Sequence, residues 1–200
     1  MAAAIEFYFE FSSPYGYIAS RLVDGLAERT GRAVNWRPML LGPVFKITGS
    51  PPLVQIPMKG DYARHDFLRS ARFHGVPFRL PDPFPIGTVA PLRAFYWTQE
   101  RDPHLAQALA KALFDAYFVQ GRDISSPETT VAVAGSVGVD AAALAAGLAD
   151  PSVKERAKRE VDAAIAAGVF GSPYFIVDGE PFWGVDRIPM LEEWLRRGGW

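Results

Sequence analysis

The sequence predicts an α/β fold in which an all-helical segment interrupts a small β-sheet. Three observations support this: strand-like alternation near the N-terminus, a helical pattern without strand signals over about a hundred residues, and a hairpin signal near the C-terminus. The order of elements is β-α-β, a helical block, then β-β-α. Because the two flanking units must cover their apolar sheet faces, we expect them to pair into one sheet with the helical block inserted between them.

Residues 5–11, Ile-Glu-Phe-Tyr-Phe-Glu-Phe, predict the first strand. Apolar residues alternate with Glu6, Tyr8 and Glu10, and this two-residue period is typical of a strand with one buried face. Aromatic and β-branched residues also favour strands. We therefore expect the phenylalanines to face the core and both glutamates to lie on the opposite side.

The first helix is predicted to follow directly. Ser13 before Pro14 is typical of a helix start, because serine caps the first amides and proline suits a position that needs no N–H. Apolar residues recur at helical spacing through Arg29, and Gly31 marks a stop. Residues 33–37 then predict a second strand, which completes a β-α-β unit.

Helical patterns dominate the middle of the chain. Residues 42–60 are rich in glycine and proline and predict a loop with a short helical piece. Further helices are predicted at 60–74, 91–101, 103–119, 127–137, 140–148 and 151–167. A Pro-rich bend at 77–91 separates the first two, because its prolines break helices and central strands: Pro77, Pro81, Pro83, Pro85 and Pro91.

The strand signal returns at residues 174–177, Tyr-Phe-Ile-Val. Asp178 and Gly179 follow, and this pair is a strong hairpin signal because both residues tolerate a positive φ. Residues 181–185 predict the returning strand. A last helix is expected at 187–197.

Composition excludes several classes of function. The net charge is −1, so no basic surplus indicates a nucleic-acid partner. No apolar run approaches the roughly 20 residues of a membrane span, and Glu6 and Glu10 interrupt the first run, so we expect a cytoplasmic protein without a secretory leader. The absence of cysteine excludes disulfides and a protein thiol nucleophile. The histidines lack metal-ligand spacing, so no metal site is expected.

Three stretches carry a resemblance to a known family. The first is Phe-Ser-Ser-Pro-Tyr-Gly-Tyr-Ile-Ala at 11–19, and the second is Thr-Gly-Ser-Pro-Pro at 48–52, followed by Pro-Met-Lys-Gly at 57–60. The third is Gly-Val-Phe-Gly-Ser-Pro-Tyr-Phe at 168–175, continued by Phe-Trp-Gly-Val-Asp-Arg at 182–187. In this order they resemble 2-hydroxychromene-2-carboxylate isomerases and kappa-class glutathione transferases, which belong to the DsbA-like branch of thioredoxin folds.

The resemblance implies a thioredoxin-like fold with an inserted all-helical domain. Residues 1–42 and 165–200 would form the thioredoxin-like domain, and residues 43–164 the helical insertion domain. The resemblance also implies glutathione as the cofactor, a small aromatic carboxylate as the substrate, and a homodimer. Neither nucleic acid nor a membrane is expected as a partner.

Roles for matching residues follow from the same resemblance. Ser13 corresponds to the serine that contacts the glutathione sulfur, at the turn where thioredoxin and DsbA relatives carry Cys-x-x-Cys. Pro173 corresponds to a cis-proline facing that turn, and the backbone of Ser172 would pair with the cysteinyl unit. Asp186 corresponds to the acid that holds the γ-glutamyl amine, and Lys59 to the lysine near the glycyl carboxylate.

The sequence departs from the family pattern in two places. The loop at Ser50 is shorter, and Ser50 stands roughly where family members often have asparagine. Gly16 replaces the commoner serine after Tyr15, which is expected to loosen the turn. Tyr15, Ser50 and Trp183 are candidate substrate contacts, although aromatic residues near a sheet edge also serve as core.

The residues alone leave plainer structural roles open. Ser13 and Asp186 can each be the N-cap of a helix, and Lys59 can be an ordinary solvated lysine. Pro173 can be a trans-proline that begins an edge strand.

Elementary thiol chemistry favours a serine at this turn. A free thiol has a pKa of about 8.5, and lowering it by about two units requires roughly 2.7 kcal/mol. A helix N-terminus supplies up to about 2 kcal/mol in a sheltered site. A hydroxyl hydrogen bond to a charged group adds about 1.5–3 kcal/mol. Ser13 can offer both effects without acting as a nucleophile.

Three functions remain as hypotheses. The first is an isomerase that converts 2-hydroxychromene-2-carboxylate to trans-o-hydroxybenzylidenepyruvate in aromatic catabolism, in which thiolate addition, bond rotation and elimination return free glutathione. The second is a kappa-like glutathione transferase, which would form a conjugate when the substrate carries a leaving group, or a thiol peroxidase-type activity. The third is a non-catalytic thioredoxin-fold binding module. A dithiol oxidoreductase is excluded because the chain has no cysteine.

Overall fold

The computed structural model describes residues 3–200, and in that range it contains one four-stranded sheet. The strands are β1 (Ile5–Phe9), β2 (Val34–Pro38), β3 (Tyr174–Val177) and β4 (Glu180–Trp183). Their order is β2-β1-β3-β4, with β1 and β2 parallel and the other pairs antiparallel. The predicted pairing of a β-α-β unit with a β-β-α unit in one sheet is therefore confirmed.

Strand β1 supplies the centre of the aromatic core. The Phe7 ring lies 5.1 Å from Trp36 and 5.2 Å from Phe175, measured between ring centroids. The strand ends at Phe9, earlier than the alternation predicted. Glu10 therefore lies in the following turn, where it is buried. The expectation that Glu10 lies within the strand, on the side opposite the phenylalanines, was wrong, because the strand ends before it and neighbouring loops fold over its side chain.

Helices fill most of the remaining chain. Helix α1 (Pro14–Thr30) begins at the predicted residue and ends before Gly31, whose φ of 64° forms a left-handed cap. The helical block contains α2 (Leu41–Thr48), α3 (Lys59–Phe73), α4 (Val89–Gln99), α5 (Pro103–Phe118), α6 (Pro127–Ser136), α7 (Ala141–Ala149) and α8 (Pro151–Ala166). A short 3₁₀ turn, Leu53–Gln55, lies between α2 and α3. The predicted helices are confirmed to within about two residues at their ends.

The Pro-rich bend between α3 and α4 is hydrogen-bonded to helices α1 and α5. The Tyr17 hydroxyl donates a hydrogen bond to the carbonyl of Pro77 at 2.7 Å, and the Tyr117 hydroxyl to that of Pro83 at 2.9 Å. Pro91 was expected in the bend but lies in the first turn of α4. A proline is tolerated there because first-turn amides have no intrahelical partner.

One hydrophobic core joins the sheet to the helical block. The Phe9 ring lies 5.4 Å from Phe114 in α5 and 6.2 Å from Phe95 in α4, measured between ring centroids. The predicted domain boundaries, after residues 42 and 164, fall inside α2 and α8. The division into two domains stays a prediction.

The C-terminal unit forms the predicted hairpin and helix. Asp178 and Gly179 connect β3 to β4 with φ values of 51° and 86°, as their sequence predicted. A 3₁₀ turn, Val185–Arg187, then leads into α9 (Ile188–Arg197). Among residues 3–200, no helix is long and apolar enough to cross a membrane.

Candidate active site

The turn between β1 and α1 holds Ser13 at the N-cap of the helix. Its Oγ accepts a hydrogen bond from the Gly16 amide at 3.0 Å, so the capping role is confirmed. The same hydroxyl donates to the carbonyl of Ser172 at 3.1 Å. Ser13 is buried, and it connects the start of α1 to the loop before β3. The two sequence motifs that contain these serines therefore meet in space.

The loop opposite this turn contains a cis peptide bond between Ser172 and Pro173, as the resemblance implied. The Ser172 Oγ accepts a hydrogen bond from the Glu10 amide at 2.9 Å, and the Pro173 carbonyl accepts from the Gly184 amide at 3.1 Å. Within residues 3–200, the Ser172 amide donates to no protein acceptor. An extended ligand can pair with such a backbone group as an added strand.

Gly16 has a packing role that its place in the sequence did not reveal. A Cβ atom at this position would lie 2.6 Å from the Ser172 Oγ and 3.2 Å from the Ser13 Cβ. Contacts under about 3 Å between such atoms are strongly repulsive. Glycine therefore permits the close approach of the two loops, which is a packing reason for this departure from the family pattern.

Tyr15 points from the first turn of α1 toward α3. Its hydroxyl donates a hydrogen bond to the Asp66 carboxylate, and the Arg69 guanidinium holds the same carboxylate. Burial, followed by the bond to Asp66, raises the pKa of Tyr15 well above its usual range, so the phenol stays neutral. The ring lies 5.0 Å from Phe67, measured between centroids. The half-buried Tyr15 ring thus packs against the buried Phe67. Sequence reasoning missed Asp66 because it resembled a solvated helix residue.

Lys59 is the first residue of α3 and is exposed. Within the described chain, its ammonium forms no ion pair. Met58 before it has φ 65° and ψ −47°, an unusual backbone for a side-chain-bearing residue. The structure thus presents Lys59 to solvent at the start of the helix that also carries Asp66, and its place near a ligand stays a prediction.

Asp186 lies in the 3₁₀ turn before α9, and its side chain is 70% exposed. The plainer alternative, an N-cap of α9, is wrong, because Arg187 occupies that position without a side-chain cap. Gly184 lets the turn form, since its φ is 112° and a Cβ there would lie 2.4 Å from the Asp186 Oδ1. Because the Gly184 amide also bonds Pro173, this turn is tied to the cis-proline loop.

Trp183 lies at the exposed end of β4 and covers the residue before Ser172. Its indole nitrogen would lie 2.2 Å from a Cβ at Gly171, so only glycine fits beneath the ring. The ring lies 4.8 Å from that of Phe170, and both are about half exposed. Trp183 is therefore not part of the hydrophobic core, and its half-exposed indole ring can contact a ligand at the candidate site.

No hydrogen bond connects Ser50 to the other candidate site residues within the described chain. It is exposed, it follows the left-handed cap of α2 at Gly49, and it forms no hydrogen bond within residues 3–200. Its predicted substrate contact stays a prediction.

Glu10 is a second residue that sequence reasoning missed. Its carboxylate accepts hydrogen bonds from the Thr88 hydroxyl and from the Leu41 amide at 3.0 Å. Burial raises the pKa of Glu10 to about 7, and these donors oppose that rise. An acidic residue directly after a run of buried aromatic residues was the available signal.

Two surface cavities lie elsewhere, on the helical block. One of about 500 Å³ is lined by Trp97 and Arg101, and one of about 810 Å³ by Arg93 and Leu148 among others. Neither is lined by Ser13 or by the other candidate residues described above.

Comparisons with known proteins agree with this architecture. A family model described as a DSBA-like thioredoxin domain matches residues 4–196. The chain is 31% identical to a 2-hydroxychromene-2-carboxylate isomerase of Sphingobium xenophagum, over 98% of this chain and 99% of that protein. It is 28% identical to glutathione S-transferase kappa 2 of Caenorhabditis elegans, over 96% and 91% of the two chains.

A solved structure of a 2-hydroxychromene-2-carboxylate isomerase matches the fold with a TM-score of 0.85. The two chains are 28% identical, and the match covers 97% of this chain and 95% of the other. The thioredoxin-like fold with a helical insertion and the family resemblance, both predicted from the sequence, are confirmed.

Proposed function

This chain belongs to the DsbA-like thioredoxin family, and from that premise we propose that it is a glutathione-dependent isomerase of the 2-hydroxychromene-2-carboxylate type. One observation carries the proposal. In a chain without cysteine, the Ser13 hydroxyl lies at a helix N-terminus and bonds to the loop that contains cis-Pro173. The chain thus has the frame of a thiol site without a thiol of its own.

The residues at this frame fit a thiol tripeptide. The unpaired amide of Ser172 can receive the carbonyl of a cysteinyl unit. Asp186 and Lys59 are exposed and opposite in charge, which suits the γ-glutamyl amine and the glycyl carboxylate of one ligand. We therefore assign Ser13, Ser172, Pro173, Asp186 and Lys59 as the residues that would hold glutathione.

Glutathione, when bound, supplies the nucleophilic thiol that this chain lacks. The Ser13 hydroxyl can rotate away from the Ser172 carbonyl and donate toward an anion, while its oxygen keeps the hydrogen bond from the Gly16 amide. The positive end of the α1 dipole acts on the same point. Together these effects favour the ionised form of a thiol placed beside Ser13.

Aromatic residues support an aromatic substrate. Tyr15 presents a neutral phenol beside the turn, and Trp183 presents a half-exposed indole beside the cis-proline loop. Flat apolar faces of this kind bind aromatic rings with a gain of about 0.5–1.5 kcal/mol per pair. A small aromatic carboxylate is therefore the proposed substrate, and similarity to the isomerase of Sphingobium xenophagum supports the same class.

A kappa-like transferase is the second candidate, because relatives of both kinds match nearly the whole chain. The two activities differ in their stoichiometry. An isomerase leaves total glutathione unchanged, whereas a transferase consumes one molecule per turnover. Total glutathione measured during turnover of 2-hydroxychromene-2-carboxylate, and then of a substrate with a leaving group, separates them.

Calorimetric titration with reduced glutathione tests the proposal. We expect saturable binding at or below millimolar concentration, and weaker binding by Lys59→Met. Lys46→Met, at an exposed lysine in α2, is the matched control and should bind like the wild-type protein. No binding at millimolar glutathione would instead favour a non-catalytic thioredoxin-fold module and remove every ligand role assigned above.

The proposal also includes a cellular location and an oligomeric state. A cytoplasmic location suits a glutathione-dependent enzyme, because the cytosol holds a reduced glutathione pool. A homodimer is implied by the family resemblance, and sedimentation as a monomer at micromolar concentration would remove it.

A further inference from the structure

Glu10 joins four segments around the candidate site. Its carboxylate accepts hydrogen bonds from Thr88, at the end of the Pro-rich bend, and from the amide of Leu41, at the start of α2. Its backbone N–H donates to the Ser172 Oγ at 2.9 Å, and its carbonyl accepts from the Ser13 amide at 2.9 Å. One residue thus contacts the turn that holds Ser13 and the loop that holds cis-Pro173, which together are called the thiol frame, and two neighbouring segments.

Neutral groups alone hold this carboxylate. Among residues 3–200, Glu10 is the one acidic or basic residue whose side chain is buried. The segments packed against it supply hydroxyl and amide donors, and no charged side chain of the described chain acts on it. Burying a carboxylate without a cation is costly. A costly group beside a candidate site indicates a functional role rather than a role in folding alone.

The side chain of Glu10 holds the bend through Thr88. The Ile86 amide donates to the Ser12 Oγ at 3.1 Å, so the bend is bonded to the two residues on either side of Phe11. Phe84 and Ile86 are half-buried members of this segment. The Phe84 ring lies 6.1 Å from Phe67, which in turn packs on Tyr15 of the thiol frame. The bend therefore carries apolar groups close to the turn that holds Ser13.

We propose that Glu10 is a positioning residue: by holding Thr88 and Leu41, its carboxylate fixes the bend and the start of α2 as the wall that receives the apolar group attached to sulfur. This inference rests on the proposed function and deepens it. The contacts of Glu10 to Ser13 and Ser172 come from its backbone and do not depend on the side chain. Thiol binding and apolar recognition are thus separable by substitution.

Two probe ligands separate the two effects. Calorimetry gives the dissociation constants of reduced glutathione and of S-benzylglutathione, and their ratio measures what the apolar wall adds. Thr88→Val removes the hydroxyl that Glu10 accepts from and keeps the size of the side chain. We expect it to reduce the preference for S-benzylglutathione about tenfold, with glutathione affinity within about twofold, because one hydrogen bond to a charged group is lost.

Thr98→Val is the matched control. Thr98 is also a buried threonine, in the helix that Thr88 precedes, and its hydroxyl has no hydrogen-bond partner in the described chain. We expect this variant to keep the wild-type preference for S-benzylglutathione.

Substitutions of Glu10 itself give a second readout. Glu10→Ala should lose the preference, as Thr88→Val does. Glu10→Gln should retain most of it, because its carbonyl can accept from Leu41 and its NH₂ can donate to the rotated hydroxyl of Thr88. This rescue distinguishes a role in positioning from a need for the charge.

The outcomes distinguish this inference from the proposed function. Three results would overturn the positioning role. The first is an equal preference for S-benzylglutathione in Thr88→Val and Thr98→Val, and the second is a wild-type preference in a folded Glu10→Ala. The third is a wild-type protein that shows no preference for S-benzylglutathione. Glutathione binding would survive each of these results. A wild-type protein that binds neither probe would overturn the proposed function, and this inference with it.

Discussion

The centre and the ends of the candidate site are built differently. Ser13 and Ser172 are buried and hydrogen-bonded to the chain itself, whereas Lys59 and Asp186 are exposed. The centre is thus shaped before any ligand arrives, which suits the stabilisation of a charge during chemistry. The ends supply charge that water and salt can screen, which suits recognition. Substitutions at the centre should therefore change stability and reactivity, and substitutions at the ends should change affinity alone.

The largest expected effect is on stability, and it comes from Glu10 beneath the centre. Burial raises the pKa of Glu10 to about 7 in the folded protein, against an ordinary value of 4.5. The folded state then holds this proton more tightly than the unfolded state, so stability falls as pH rises from about 4.5 through 7. Glu10→Gln removes the ionisation and should be more stable than the wild-type protein at pH 8, by about 3 kcal/mol at most.

Urea unfolding of both proteins at pH 5 and pH 8 measures this difference. The wild-type protein should lose stability relative to Glu10→Gln between the two pH values. Glu155→Gln, at an exposed glutamate in α8, is the control and should show no such change. A difference between wild-type and Glu10→Gln that is the same at both pH values would contradict a carboxyl that titrates near neutrality.

The next effect concerns the thiol. Ser13→Ala removes the hydroxyl that can donate to a thiolate, so the pKa of bound glutathione should rise by about 1–2 units. The variant also loses the N-cap bond to Gly16, which costs about 1 kcal/mol of stability. An ultraviolet titration of the thiolate band measures the pKa.

Ser20→Ala is the control for Ser13→Ala, because Ser20 is also buried in α1 but bonds only the Tyr17 carbonyl. Its bound thiol should titrate like that of the wild-type protein. An unchanged thiol pKa in Ser13→Ala, together with retained glutathione binding, would remove Ser13 from the chemistry and leave it as a helix cap.

A smaller effect tests how tightly the two central loops approach each other. Gly16→Ala places a Cβ 2.6 Å from the Ser172 Oγ and should destabilise the protein by about 1–2 kcal/mol. In a Ser172→Ala background the clashing oxygen is absent, so most of this loss of stability should disappear. Alanine also favours a helix over glycine by about 1 kcal/mol, which adds to the recovery. A double-mutant cycle of unfolding free energies measures the coupling. Additive effects would show that the loops can separate at little cost.

The centre was more predictable from the sequence than its surroundings. Ser13 before Pro14 is a local helix-start signal, and the family resemblance added Ser172 and Pro173 as its partners. Glu10 was misplaced because the two-residue alternation was extended beyond the end of β1. A local pattern carries no information about the loops at Leu41 and Thr88 that cover this side chain.

Long-range contacts explain the other omissions. Asp66 bonds Tyr15 across 51 positions of sequence, and nothing in the charged helix around it distinguishes it from a solvated residue. Gly16 was interpreted as a source of looseness, yet its meaning depends on Ser172 lying against it. The fold was predictable because periodicity and turn residues are local signals, whereas these contacts exist only after the chain has folded.

The smallest expected effect belongs to the ends of the site. Asp186 is largely exposed, so its charge is worth at most about 1 kcal/mol to a bound amine, and Asp186→Asn should weaken glutathione binding about fivefold. The loss should shrink at high salt, because exposed charges are screened. Asp162→Asn, at an exposed aspartate paired with Lys158, should bind normally. If Asp186→Asn instead shifted the pKa of the bound thiol, Asp186 would act on the centre, and the distinction between a shaped centre and screened ends would fail at this residue.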